Sequence, residues 1–387
     1  MNRHKLKVNN FTRNFFTVRR NIFIGFLVFA TISFGSIHTS FASEEKVEEQ
    51  AQHKEGEKEK FNTVEFIFDH IGDSYEWHIL TIGHKHISIP LPIILYSHQK
   101  GLNIFLSSKF HHGTESYNGF RWEKEGKYKG KIVELNSTGD VLEENPLPLN
   151  FSITKLVFSL LFSSVLICWI FISVGRKYKK GEDKAPTGLQ NLVEPLILFV
   201  KNDIIVPSIG EKHYQRFLPY LLTVFFFIML NNLLGLIPIF PGGANLTGNI
   251  AVTMVLALFT FVITNVSGNK HYWKEIFNAP GVPWYLKLPI PLMFLVEFTG
   301  LFTKPIVLMI RLFANILAGH MVAIVFFSLI FIFGAISVGA GYGVSVVSIA
   351  FTFFMSLLEL LVAFIQAYVF TLLSAIYFGM AVQEHHH

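Results

Sequence analysis

The sequence predicts an all-α polytopic membrane protein that carries a small, mostly β, exported domain on its N-terminal side. Three observations predict it. Hydrophobic residues make up 51% of the 387, phenylalanine alone contributes 41, and the mean hydropathy is +0.45, a profile of membrane proteins and not of soluble enzymes. The apolar runs long enough to span a bilayer lie after residue 150. Lysine and arginine fall in the short connections on one predicted side, whereas the two turns on the other side, Pro241 to Gly248 and Gly334 to Gly343, have none.

The remaining composition excludes several classes. A net charge of +5 is modest and gives no reason to expect a nucleic-acid partner. The single cysteine, Cys168, lies in an apolar run, so an intrachain disulfide and a cysteine-ligated zinc site are both excluded.

Residues 1–42 are expected to be a signal peptide. A basic start with Arg3, Lys5, Lys7, Arg13, Arg19 and Arg20 precedes the apolar stretch Ile22 to Phe34, and Ser40-Phe41-Ala42 supplies the small residues a signal peptidase reads. The stretch is short for a span, which favours cleavage over an anchor. Residues 43–150 then form the exported soluble domain. Its leader, Glu44 to Lys60, is rich in Glu and Lys and too poor in apolar residues to pack. Runs at His86 to Leu95, Gly101 to Leu106 and Tyr128 to Leu135, separated by Gly, Pro, Asn and Asp, read as short strands. The histidines at 70, 78, 84, 86, 98, 111 and 112 raise a metal hypothesis, but no acidic or cysteine cluster completes a site, and the sequence calls for no metal or other cofactor.

Residues 151–387 form the membrane domain, with five predicted membrane-crossing helices. The first, Phe151 to Val174, is followed at once by Arg176, Lys177, Lys179, Lys180 and Lys184, which marks the cytoplasmic side. Leu189 to Ile209 contains Glu194, Lys201, Asp203, Pro195 and Pro207, and is expected to lie along the interface. A hairpin of Phe217 to Phe240 and Gly248 to Val266 follows; helix-to-helix hydrogen bonding accounts for its Asn231, Asn232 and Asn265. The loop Gly268 to Pro289, with Lys270, Lys274 and Lys287, belongs inside. Pro291 to Phe333 and Val344 to Ala381 would each extend about 57 to 65 Å as helices against a hydrocarbon core of about 30 Å. Neither contains the charged turn that two separate spans would need, so two long tilted helices joined by a glycine-rich turn are expected.

Arg311 is the residue around which these helices are organised. A guanidinium keeps its charge, and an intramembrane charge faces a bundle interior, a partner or a wet path. In an antiparallel pair, residues at one depth have position numbers of nearly constant sum, which places Arg311 level with Gln366 and His320 level with Glu359. The second level lies about 10 to 14 Å away from the first. Glu359, Gln366 and Tyr377 form one helical stripe. On the other helix His320 lies about 180° round from Arg311, Asn315 within about 40° of it, and Glu297 about 21 Å toward the cytoplasm, level with Tyr377. Polar access from both sides thus stops at a fixed positive charge. A guanidinium opposes the passage of a cation along the axis, whereas a carboxylate carried past on another subunit would be attracted to it and release its proton.

Arg311-Leu312-Phe313-Ala314-Asn315 and Ala318-Gly319-His320, with Thr303-Lys304-Pro305 upstream and Gln366-Ala367-Tyr368-Val369-Phe370 downstream, resemble subunit a of the F-type ATP synthases. The resemblance runs from about Phe151 to Glu384 and includes the Leu-Leu-Gly-Leu-Ile-Pro run that ends the second span. It implies a proton-translocating stator subunit, not itself an enzyme, set against a ring of c subunits, with peripheral-stalk b subunits as further partners in a bacterial inner (plasma) membrane. By the same resemblance Arg311 faces the ring carboxylate between two offset half-channels. His320, Glu359 and Gln366 line the outer path with Asn315 nearby, and Glu297 belongs to the inner path. Some members carry an acid at the position of His320 and a histidine at that of Glu359; here the pair is exchanged, which keeps one acid and one imidazole at one level.

Two other classes fit part of the pattern. A self-contained secondary transporter would bury charges too, but would show repeated halves, and none is evident. A membrane metalloenzyme is suggested by His385 to His387 and the 16 histidines, but His-Glu-x-x-His does not occur.

Overall fold

The computed structural model describes residues 72–82, 85–124, 126–136, 138–142, 147–180, 188–237, 240–277 and 292–383. The expected signal peptide, its acidic and basic leader, His70, His84 and the terminal histidines lie outside these residues.

The N-terminal part is built of seven short strands: β1 Glu76–Ile82, β2 Lys85–Pro90, β3 Pro92–Ser97, β4 Gly101–Leu106, β5 Phe120–Trp122, β6 Ile132–Glu134 and β7 Leu149–Asn150. They pair antiparallel as β1-β2, β4-β3-β7 and β5-β6. The Gly101 to Leu106 strand is found as expected. The expected run His86 to Leu95 is divided instead, because Pro90 and Pro92 cannot both donate to one ladder. The expected strand from Tyr128 is a 3-10 turn, Gly126–Tyr128, before β6. Ile93, Leu95, Phe110, Phe120 and Ile132 are almost fully buried together with Tyr75, so the β5-β6 hairpin and the turn Ser107–Gly113 cover one face of the β4-β3-β7 sheet.

The chain passes from this sheet into the membrane helices without a linker. The Phe151 and Ile153 amides donate to Ile94 O (2.8 Å) and Pro92 O (3.0 Å), and helix α1 (Lys155–Lys180) begins two residues later. The Asp73 carboxylate accepts from the Leu156 amide at 3.1 Å, Ser74 O accepts from the Lys155 amide at 2.9 Å, and Thr154 Oγ1 accepts from the Val157 amide. Helix-start amides that would otherwise be orphaned are thereby satisfied by the domain. Trp77 of β1, 3% exposed, packs edge-on against Phe158 (5.7 Å) of α1 and Phe240 (5.1 Å).

Among the described residues six further helices follow: α2 Leu189–Phe199, α3 Tyr214–Leu236, α4 Ile250–Ser267, α5 Lys270–Phe277, α6 Leu292–Ile336 and α7 Val338–Val382. Helix α2 continues through a π-helical turn, Val200–Ile205, into one more α-turn, Val206–Ile209. Pro207 lacks an amide hydrogen, and the widened turn just before it absorbs the missing bond. Gly210, with φ +89°, stops the run. Helix α4 starts where the Asn249 side chain accepts from the Ala251 amide at 2.9 Å. Helix α5 occupies the loop that was expected to connect Gly268 to Pro289.

Among the described residues five helices, α1, α3, α4, α6 and α7, are long and apolar enough to cross a membrane. The two last are each 45 residues long, about 68 Å, and neither is broken, although Pro305 lies within α6. The expected turn Gly334 to Gly343 is corrected: the helices meet at a single non-helical residue, Ser337, whose Oγ accepts from the Ala340 amide at 3.1 Å. Glycines 339, 341 and 343 lie inside α7. A Cβ on Gly341 would come 2.9 Å from Gly334 Cα, so these two glycines serve the close crossing of the helices and not the reversal.

Candidate functional site

The long pair forms a hairpin with Phe326 stacked on Phe351 at 5.1 Å and the His320 imidazole 3.8 Å from the Glu359 carboxylate. That approach depends on Gly319, where a Cβ would lie 3.0 Å from Glu359 Oε1 and 3.1 Å from its Cγ. On its other side His320 faces the end of α3: a Cβ on Gly235 would be 3.7 Å from His320 Nε2 and 3.5 Å from Ala244 O. Glu359 Oε1 is buried and lacks a hydrogen-bond partner among the described residues.

This level continues into α3 and the turn that precedes α4. Asn232 donates to Ala363 O (3.2 Å), one turn beyond Glu359, and accepts from Thr247 Oγ1 at 2.5 Å. Asn231 donates to Phe227 O (2.8 Å) within its own helix, and its buried carbonyl oxygen has no partner among the described residues. The expectation that the asparagines merely bridge helices therefore covers only half of the geometry: Asn232 links the turn at Thr247 to the helix of Glu359. The sequence signal was a pair of amides at the end of a span, which alone does not reveal what it faces.

Arg311 and Asn315 are both exposed, on a stripe of α6 that includes Ile306, Ile310 and Ala314. Leu308, Leu312 and Ile316, on the opposite side, are buried to 9% exposure or less. Arg311 thus lies on the uncovered side of α6. Gln366, expected level with Arg311, is only 5% exposed. The two helix faces differ: α7 turns Gln366 inward while α6 turns Arg311 outward.

A second polar recess lies toward α5. A small cleft is lined by Thr260, Thr264, Asn265, Tyr272, Lys304 and Tyr377, among others. The Lys304 ammonium sits 5.7 Å over the Tyr377 ring. Lys304 is thus an α6 residue beside Tyr377; Glu297 is half-buried two turns nearer the start of α6. An aliphatic amine within an apolar helix was the visible signal for Lys304. Asn269 fastens this end, its backbone amide donating to Ala381 O (2.9 Å) and its side chain to Gln383 O (2.8 Å). Along α6, Arg311 stands about 10 Å from the Lys304 level and about 14 Å from the His320 level.

Among the described residues, the histidines of the β domain do not assemble. His112 pairs with Glu76 at 2.6 Å and His111 with Glu115 at 3.6 Å, and among the described residues no three His, Cys, Asp or Glu side chains gather as metal ligands.

Residues 157–379 match the family described as ATP synthase A chain, and residues 66–153 match a domain of unknown function, DUF8433. Among similar proteins, ATP synthase subunit a of Chloroherpeton thalassium is 44% identical over 245 residues, 62% of this chain and 69% of that protein. ATP synthase subunit a 2 of Chlorobaculum tepidum is 45% identical over 238 residues, 60% of this chain and 64% of that protein. ATP synthase subunit a of Myxococcus xanthus is 44% identical over 246 residues, 62% of this chain and 76% of that protein. The matched region holds the outward arginine, both polar recesses and all but the ends of the five long helices, and on that match the chain belongs to the ATP synthase A chain family.

Proposed function

We propose that this chain is the proton-carrying stator subunit of a rotary F-type ATP synthase in a bacterial plasma membrane, working against a ring of c subunits and held by peripheral-stalk b subunits. One observation carries the reading: Arg311 lies on the uncovered face of α6, between a polar recess at His320 and Glu359 and another at Lys304 and Tyr377. A permanent cation facing acyl chains alone is costly by at least about 2.5 kcal/mol, so that face belongs against a partner that presents negative charge. A carboxylate carried on a rotating neighbour meets this requirement. It gives up its proton on reaching Arg311 and is reloaded from the recess on the other side.

In this reading the β domain and the Ser337 turn lie outside, and the Lys177 end of α1 and helix α5 lie in the cytoplasm, as the distribution of Lys and Arg favours. His320 and Glu359, backed by Asn232 and Gln366, form the outer path, with Asn315 beside the arginine. Tyr377, Glu297 and Lys304 belong to the inner path. The subunit catalyses no covalent step itself; it supplies a route and a barrier.

Arg311→Ala in membrane vesicles is expected to abolish ATP-driven proton pumping and coupled ATP synthesis while the mutant subunit remains in the complex. Full pumping by that variant rejects the role.

A further inference from the structure

Among the described residues, the β4-β3-β7 sheet has one covered face and one bare face, and the bare face is apolar. Antiparallel sheets with one side in water normally alternate apolar and polar residues. Here Leu102 (62% exposed), Ile104 (65%) and Leu106 (49%) alternate along β4, with Tyr96 on β3 and Leu149 on β7 beside them. Phe151, 45% exposed, extends the row past the end of β7. No charged side chain interrupts these six. Contiguous exposed apolar surface of this kind marks a contact with something that is not water.

The position of the sheet selects the occupant. The chain runs from Phe151 to the first residue of α1, Lys155, with the backbone of 151–153 still bonded to β3, so the apolar row ends beside a membrane-crossing helix. Along α1 as far as Val174 the exposed residues are again apolar: Leu161, Val165, Trp169 and Ile172. The domain is held to that helix by the Asp73 and Trp77 contacts and cannot lift away freely.

We propose that the bare face of β4-β3-β7 is a lipid-docking surface, lying in the headgroup and upper acyl region of the leaflet at the Lys155 end of α1. The surface is a continuation of the lipid-facing side of the transmembrane part, and it binds the bilayer by burial of aliphatic and aromatic side chains to a depth of about 5 to 10 Å. This assignment concerns the β domain and does not depend on the ion-transport reading.

The test uses the full chain with Cys168→Ser, reconstituted in phosphatidylcholine and phosphatidylglycerol vesicles and, separately, in the purified complex. Nitroxide labels are placed at Ile104→Cys and Leu102→Cys, with Lys129→Cys, an exposed position in the loop of the β5-β6 hairpin, as the aqueous reference. In both preparations the two face labels are expected to show a several-fold higher ratio of oxygen to nickel-chelate accessibility than the reference. Chelate access equal to that at Lys129 shows a face open to water and overturns the proposal. Shielding from both oxygen and chelate shows a protein cover, from another part of this chain, a second copy or a partner, and overturns it equally. Two labelled positions keep the reading testable if one substitution prevents insertion.

Discussion

At the scale of single residues, the charged and polar groups were legible and the glycines that seat them were not. Arg311, His320 and Glu359 stand out because each interrupts a lipid-compatible run. Gly319 does not, because its requirement comes from Glu359 on another helix, 3.0 Å from where a Cβ would stand. Gly319→Ala should therefore push the carboxylate away from His320 and lower ATP-driven pumping several-fold, with α6 and α7 still packed; proton flux in vesicles compared with subunit content measures this. Lys304 was visible only as part of a motif, since its partner, the Tyr377 ring, is set by the register of the pair. A separate outcome concerns Tyr75, 8% exposed and hydrogen-bonded to Asn150 at 2.6 Å, where burial holds the phenol pKa above its usual value. The unfolded chain ionises near pH 10 and the folded domain does not, so stability contributed by the neutral phenol falls as pH rises above about 10. Tyr75→Phe should flatten that alkaline loss, as read from urea midpoints between neutral and alkaline pH.

At the scale of elements, helix length and type followed from apolar run length, whereas the joint between α6 and α7 did not. Glycine serves both reversals and close helix approach, and a sequence with Gly at 334, 339, 341 and 343 fits either use. The structure assigns the reversal to Ser337 and the contact to Gly334 and Gly341. Gly341→Leu should consequently splay the Ser337 end of the hairpin, seen as increased distance between labels near residues 330 and 345. The packing of the Val206–Ile209 turn on α7 makes a similar demand. A Cβ on Gly379 would overlap Ser208 O, and a backbone atom cannot step aside as a side-chain tip can. Gly379→Ala should cost about 1 to 3 kcal/mol by overpacking, measured as a lower thermal midpoint of the solubilised protein. The π-turn Val200–Ile205 had only Pro207 as its sequence signal, and a proline predicts a break more readily than a widened turn.

At the scale of the whole molecule, the division into a β part and a membrane part was legible from composition, but its rigidity was not. The contacts that fuse the two parts join residues far apart in the chain, such as Asp73 with Leu156 and Trp77 with Phe240. Trp77→Ala should cost about 3 to 5 kcal/mol of packing and expose the segment around Asp73 to protease in sealed vesicles, while pumping changes little. Burial is uneven across the molecule: in the most apolar stretches of α6 and α7 only 11% is buried, against 39 to 50% in α1, α3 and α4. The single-residue closure at Ser337 bears on how such weakly supported helices are made. A 45-residue segment carrying Arg311 and His320 would be poorly tolerated by lipid if it left the translocation machinery alone, and its antiparallel mate follows after one residue. The two are therefore expected to enter the bilayer as one unit, since His320 finds Glu359 only once α7 has followed α6.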